Sequence, residues 1–317
     1  MKILFFLLDL LTMPMTIFSA LWLKFNRRYI SGFWSAKGPF SQKIFRIIGC
    51  FPIIKNFYEP YFYTSNSDLR QSFRDVRSLP GIQWKIDEQL ELLKTFIYSH
   101  EIGNDPNLDK GFQFNNGSFE SGDAEILYNI IRHFKPKKVI EVGCGNSTLI
   151  INEALSKNKQ SDNAYIFNHT CIEPYYNEHL SYLGVKFVKE KVENVDFDLF
   201  LELDSNDILF IDSSHIIRPQ GDVLFEILNI LPNLKPGVIV HFHDIFSPRD
   251  YLDEWFKNGV VFWNEQYILE AFLSSNHCFD IICAVNLLKN DYFDSLKKVA
   301  TNITEKREPG SFWIRRN

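Results

Sequence analysis

Apolar positions fall into blocks of different period. Ile3 to Leu23 is a run of 21 residues broken only by Asp9, Thr12, Pro14, Thr16 and Ser19, long enough for a bilayer-spanning helix. Lys24, Arg27 and Arg28 follow it, then Lys37, Lys43 and Arg46, whereas only Lys2 and the amino terminus precede it. That asymmetry places the following chain on the cytoplasmic side. Asp9 opposes deep insertion and Pro14 would kink the helix. The readings are a membrane span or interfacial anchor, a hydrophobic helix packed on the domain, and a cleaved signal peptide.

Residues 40–63 mix Phe40, Ile44, Phe45, Ile47, Ile48, Phe51, Ile53, Ile54 and Phe57 with Lys43, Arg46 and Lys55. This suits a membrane-surface helix or a docked core helix, with Pro52 and Pro60 ending helices. Residues 64–80 are polar and run into a turn at Leu79-Pro80-Gly81. Ile86, Leu90, Leu93 and Ile97 stand at helical spacing within 85–100, the Gly/Asn/Asp-rich stretch 102–118 reads as loop, and Ser121 to Asp123 open a helix over 124–134.

From there short β-branched runs alternate with helical segments. Val139–Val142 reads as a buried strand, followed by Gly143, Gly145 and a helix from Ser147 and Thr148 through about Lys157. Residues 169–174 form a second strand ending in Glu173; Tyr175–Leu183 reads as a helix and Val185–Val188 as a strand. Residues 207–215 give a strand with Asp212 and His215 at its mouth, Pro219–Asn233 a helix, and 235–245 a strand ending in His243 and Asp244. A helix through Leu273 and strands at Phe279–Val285 and Ser311–Arg315 complete the pattern.

Strand, glycine turn and helix are how an open α/β sheet holds a nucleotide-like cofactor. The third glycine of the dinucleotide fingerprint is replaced by Thr148, which favours a cofactor without a pyrophosphate. Gly143 and Gly145, with Asn146, Ser147, Thr148 and Glu141 around them, are the candidate cofactor residues, and Glu173 is placed to accept hydrogen bonds from ribose hydroxyls. Two strand ends on one sheet edge bring Asp212, His215, His243 and Asp244 together as candidate catalytic groups. Asp212 also borders the cofactor, and Asp212 with Asp244 is a candidate site for a hard divalent ion such as Mg2+. His241, on the same strand face as His243, is a weaker candidate. Phe262 to Tyr267 packs aromatics, amides and an acid together, so Trp263, Asn264, Glu265 and Gln266 are candidate acceptor-binding residues.

With 45% apolar residues in 317, a large domain plus a smaller N-terminal region is expected. A net charge of −5 gives no footprint for nucleic acid. Five cysteines without a CxxC pair indicate a reducing compartment and no zinc site. Cys144, inside the glycine turn, reads as a small residue that an alkylating reagent could reach. Asn-x-Ser/Thr matches at Asn116, Asn146, Asn168 and Asn302 read as chance, since Asn146 lies in the cofactor turn.

The glycine turn, the acid after the second strand and the segment Leu234-Lys-Pro-Gly-Val-Ile-Val-His-Phe-His-Asp244 resemble the class I S-adenosylmethionine-dependent methyltransferases. The nearest likeness is to bacterial sugar- and macrolide-modifying O-methyltransferases. The resemblance implies a Rossmann-like α/β fold, a seven-stranded sheet of order 3-2-1-4-5-7-6 with helices on both faces. It also implies S-adenosylmethionine as cofactor, Glu193 near the adenine, and magnesium at strand-end acids; His243 stands where the family's first paired acid would be. The expected division is a hydrophobic segment 1–30, a helical and loop region 31–118 and a methyltransferase domain 119–317. The expected function is O-methylation of a saccharide or glycosylated lipid-linked intermediate at the cytoplasmic face of a membrane. The partners are a small-molecule or glycan acceptor and the membrane surface, with a homodimer left open. The alternatives are a nicotinamide-dependent oxidoreductase, a membrane-tethered binding module without catalysis, and a soluble cytoplasmic protein.

Overall fold

A computed structural model of the chain describes residues 2–27, 39–50, 53, 72–102, 112–114, 116–175, 183–257 and 261–317. The expectations for Arg28, Lys37, Phe51, Pro52, Ile54, Lys55, Phe57 and Pro60, and most of the helix read over 175–183, lie outside the described residues. The chain divides into two compact units, Met1–Arg70 with Phe256–Phe262, and Gln71–Trp255 with Trp263–Asn317.

The first unit holds α1 (Lys2–Phe25) and α2 (Pro39–Ile48). Within α1 the Thr12 hydroxyl donates to the Leu8 carbonyl at 3.0 Å and Thr16 to that of Thr12 at 3.2 Å. Both side chains thus satisfy themselves on their own helix. The Asn26 amide donates to Ser41 Oγ at 3.1 Å.

The second unit is built on a seven-stranded sheet of order β3-β2-β1-β4-β5-β7-β6, as the resemblance implied. Its strands are β1 (Lys138–Val142), β2 (Asn168–Ile172), β3 (Lys186–Val188), β4 (Ile208–Ile211), β5 (Ile239–Phe242), β6 (Phe279–Ala284) and β7 (Phe312–Arg316). The first five are parallel; β7 runs antiparallel to both neighbours. Helices cover both faces, so β4 and β5 are buried at every position, which is why they read as unbroken apolar runs. Before β4, Asp207 Oδ1 accepts the backbone N–H groups of Lys137 and Lys138, each at 2.9 Å, tying the starts of β1 and β4 together.

The described helices after α2 include α3 (Ile86–Lys94), α6 (Asp198–Leu201), α7 (Asp222–Phe225), α8 (Leu231–Asn233) and α9 (Asp253–Lys257), and three others position the site. α4 (Asp123–Phe134) opens where Glu125 accepts from the Gly122 N–H at 2.8 Å and the Ser121 hydroxyl at 2.7 Å, the acidic half of a capping box. α5 (Asn146–Ser161) outruns its expected end at Lys157 by four residues. α10 (Glu265–Leu273) starts directly after Asn264. The helix read from Pro219 begins instead at Asp222, and Pro219 and Gln220 form the turn before it. Its middle, Glu226–Ile230, widens into a π turn before Pro232. A proline lacks the N–H and crowds the carbonyl four residues back, and the wider turn relieves both. Ile82, Leu93 and Phe96, ahead of the sheet in sequence, share its core with Ile126, Leu209 and Trp313.

Candidate functional site

The carboxyl ends of β1, β2 and β4 open onto a cleft of about 300 Å³ lined by Gly143, Ile172, Glu173, Lys191, Glu193, Asp212, Ser213, Arg218 and Asp222, among others. Ligands of open α/β sheets bind at this edge. Gly143 has a φ of +80°, and a Cβ there would collide with the Asp212 carbonyl. The turn after β1 therefore rests directly on the end of β4, which only glycine permits. Glu173 Oε1 accepts the N–H of Tyr175 at 2.7 Å, fixing one carboxylate oxygen at the cleft wall.

Not all residues expected at the cofactor face it. Glu141 is fully buried beneath the turn, where Oε1 accepts from the Ser147 hydroxyl at 2.7 Å and Oε2 lies 3.0 Å from His169 Nε2. Thr148 is also buried, and its Oγ1 accepts the N–H of Gly145 at 3.0 Å. Asn146 reaches across to donate to Ser118 Oγ at 2.8 Å. Glu141, Ser147 and Thr148 thus shape the turn from below rather than line the cleft. A buried acid following a β-branched run satisfies itself on polar neighbours, and here those neighbours come from α5 and β2.

Asp212, His215 and Asp244 converge, with donor atoms all within 4.8 Å of one another. His215 Nε2 lies 3.2 Å from Asp212 Oδ1 and 3.7 Å from Asp244 Oδ2. Its Nδ1 is 2.8 Å from Glu265 Oε2, and the ring of Trp263 covers it at 4.3 Å between centroids. Burial disfavours charge on this imidazole, but the bonds to Asp212 and Glu265 outweigh it and raise its pKa well above the ordinary value. His243 Nε2 is 3.8 Å from Asp244 Oδ1, and its ring lies against Phe119 at 5.1 Å. Burial lowers this histidine's proton affinity; Asp244, Asp212 and Asp123 more than restore it, so its pKa is raised. Asp212 would be raised by burial, yet His243 and the bond to His215 hold its carboxyl below the usual range. The side chains of Asp212 and Asp244 are 33% and 20% exposed and those of the two imidazoles 6% and 8%. The carboxylates therefore face solvent and the imidazoles stand behind them.

Both turns are strained: His215 has φ +60° and Asp244 φ +56°, a conformation that costs roughly 1–2 kcal/mol for a residue with a Cβ. The second is braced by Gly310, whose carbonyl accepts the Ile245 N–H at 2.9 Å and whose Cβ, if present, would meet Asp244 Cα at 2.8 Å. Asp123 at the start of α4 in turn accepts the N–H of Ser311 at 2.7 Å and of Gly310 at 3.3 Å.

The polar side chains of the acceptor segment read over 263–266 make contacts within the protein. Asn264 Oδ1 accepts the N–H of Ile217 at 2.6 Å, Gln266 Oε1 that of Phe246 at 2.6 Å, and the Gln266 amide donates to the Arg249 carbonyl at 2.8 Å. Glu265 is spent on His215. These polar groups hold the loops after β4 and β5, and of the four only Trp263 presents its ring beside His215. His241, the weaker candidate, is sandwiched between Phe210 at 3.9 Å and Trp313 at 4.6 Å and contacts Ser311 Oγ at 3.0 Å.

Sequence reasoning missed Glu226 and Asp123. Glu226 is fully buried behind Ser213, whose hydroxyl donates to it at 2.9 Å; burial, with Glu265 and Asp222 close by, pushes its carboxyl well above the ordinary range. An acid alone in the apolar stretch Val223 to Ile230 was the available signal.

A methyltransferase-domain family model matches residues 140–245, from within β1 to just past Asp244. A protein of Archaeoglobus fulgidus described only as uncharacterized is 31% identical over 136 residues, which cover 40% of this chain and 60% of that protein. The chain thus matches about three fifths of that relative's length. The stretch that the family model matches holds the glycine turn, Glu173, Asp212, His215 and the His243-Asp244 pair, and this match, on this strand order, supports a methyltransferase with S-adenosylmethionine as its usual cofactor.

Proposed function

We propose that the protein transfers a methyl group from S-adenosylmethionine to a hydroxyl oxygen of a saccharide or glycosylated, lipid-linked acceptor. The observation that carries this reading is the convergence of Asp212, His215, His243 and Asp244 at the border of the cofactor cleft, with Asp212 belonging to both. The bound cofactor supplies an activated methyl on a positively charged sulfur. Glu173 holds its ribose hydroxyls, Glu193 the adenine side, and Gly143 gives its backbone room. An alcohol is a poor nucleophile, so its proton must be taken as the oxygen attacks. The solvent-facing oxygens of Asp212 and Asp244 orient that hydroxyl. His243, neutral at the moment of reaction, receives the proton through Asp244. His215, held charged by three carboxylates, fixes both acids in place. Trp263 offers a ring face for a sugar.

The same donor set bears on magnesium. Asp212 and Asp244 would hold the ion and it would lower the acceptor's pKa. The charged His215 already sits between these carboxylates, so the imidazolium and a divalent ion compete for one place. Chelation that leaves turnover unchanged selects the histidine version; loss on chelation with recovery in magnesium selects the metal version.

We place the protein at a membrane surface. Ile3–Phe25 has a mean hydropathy of 1.9 with none of its most apolar stretch buried. In α2, Phe40, Ile44, Ile47 and Ile48 share one exposed face with Lys43 and Arg46 beside it, the pattern of a helix lying on anionic lipid. A screen of hydroxylated glycans for uptake of labelled methyl tests the activity, and equilibrium binding of S-adenosylmethionine against NAD separates it from the oxidoreductase reading.

A further inference from the structure

Beneath the glycine turn lies a cluster that the methyl-transfer reading does not use. Cys144 comes from the turn, Glu141 from β1, and His169 and Cys171 from the same face of β2. One donor atom each from Glu141, Cys144 and Cys171 lies within 4.8 Å of the others. Cys171 Sγ is 3.3 Å from Glu141 Oε2 and 3.6 Å from His169 Nε2, and that nitrogen is 3.0 Å from the same oxygen. Zinc–ligand bonds of about 2.0–2.3 Å in a tetrahedron give ligand-to-ligand distances of about 3.4–3.8 Å, within a few tenths of an ångström of those seen.

A second observation comes from the histidine itself. His169 is buried, and its Nδ1 has no hydrogen-bond partner among the described residues. With the proton on Nε2, Nδ1 is a bare buried acceptor; with the proton on Nδ1, the Nε2 lone pair faces a carboxylate oxygen at 3.0 Å with nothing between. In the second case a cation shared by Nε2 and Oε2 removes the repulsion between the two lone pairs, while the Nδ1–H stays a buried donor without a partner among the described residues. The Ser147 hydroxyl, on the other carboxylate oxygen, orients Glu141 as outer partners orient metal ligands.

We propose that Glu141, Cys144, His169 and Cys171 form a binding site for a thiophilic divalent cation, zinc by its donor set, that pins the cofactor turn to β2. β1, the turn after it and β2 supply the ligands between them, so no CxxC spacing marks the site in the sequence. On binding, each thiol releases one proton and coordinates as thiolate, with the Glu141 carboxylate and the neutral imidazole completing the set. No electron transfer is involved.

The test uses the reduced full-length protein. Zinc is titrated against a chromophoric chelator, and cobalt is added separately as a spectroscopic probe. The expected result is one zinc per chain, thiolate-to-cobalt charge transfer with tetrahedral bands, and a higher unfolding temperature with zinc. Cys171→Ser should weaken binding by about 100-fold or more and His169→Ala by about 10–100-fold, while Cys278→Ser, at an exposed cysteine, should change nothing. If Cys171→Ser does not fold, Cys144→Ser in the looser turn carries the same expectation. Binding weaker than micromolar, binding indifferent to both cysteine variants, or isolation of the native chain with a Cys144–Cys171 disulfide overturns the proposal. S-adenosylmethionine binding enters none of these readouts, so the site stands or falls separately from the methyltransferase reading.

Discussion

Glu265 Oε2 lies 2.8 Å from His215 Nδ1, joining two buried residues fifty positions apart in the chain. The carboxylate fixes which ring nitrogen faces the acids at the strand ends and helps keep the imidazole charged. In Glu265→Gln the His215 pKa should fall toward its ordinary value, readable by NMR titration of the ring. Turnover should drop about 10²-fold, within the range for disturbing an acid–base group, with cofactor affinity unchanged. An unshifted His215 titration would refute the coupling.

In the proposed reaction His243 must be neutral to take a proton, and against burial Asp244, Asp212 and Asp123 raise its pKa. Activity should therefore rise with pH and reach its plateau above the ordinary histidine range near 6.5. His243→Asn should lower turnover by about 10²–10⁴-fold and flatten that rise. A variant that keeps the same pH profile would show that another group titrates.

Glu173→Ala should weaken S-adenosylmethionine binding by about 1–3 kcal/mol, the cost of leaving ribose hydroxyls unpaired. Gly143→Ala should be worse for cofactor and fold alike, because its Cβ meets the Asp212 backbone. Calorimetry on folded Glu173→Ala showing unchanged affinity would remove that residue from the site.

His241 titrates in the opposite sense to its neighbours. Buried between Phe210 and Trp313, it is held neutral, its pKa well below the ordinary value through burial first and the charge of His243 second. The unfolded chain takes up that proton near pH 6.5 and the folded chain does not, so this contribution is complete above about pH 6.5 and is lost as pH falls. His215 and His243, with raised pKa values, contribute fully below pH 6.5 and lose it as pH climbs. Denaturant unfolding of His241→Phe should show a deficit at pH 8, from the lost contact with Ser311 Oγ, that shrinks toward pH 5. A deficit constant across that range would mean the ring is not held neutral.

Full-length protein should sediment with membranes and resist a high-salt wash, while a chain beginning near Ser31 should stay in the supernatant. Recovery of the full-length chain in the soluble fraction would remove the anchor.

The sheet was legible because β1, β4 and β5 are buried on both faces and so must be continuous apolar runs. The acids at their ends were legible because loops after such strands converge. What could not be read was direction. Glu141 and Ser147 look like ligands of a cofactor turn, yet they point down into β2, and the difference lies in His169 and Cys171, some thirty residues on. The amide-rich start of α10 has the composition of a carbohydrate site, but backbone N–H groups of two loops ask for the same acceptors. Nothing in local spacing tells a sugar hydroxyl from the amide of Ile217 or Phe246.

That clamp has an evolutionary consequence. Asn264, Glu265 and Gln266 each hold a different point on the loops after β4 and β5, so their register against those loops cannot slip by one residue without releasing all three. Insertions and deletions between Leu252 and Trp263 are tolerated only when they leave the start of α10 in place. In diverging copies of this chain the length of that preceding stretch should therefore drift, while the three polar residues after it stay put.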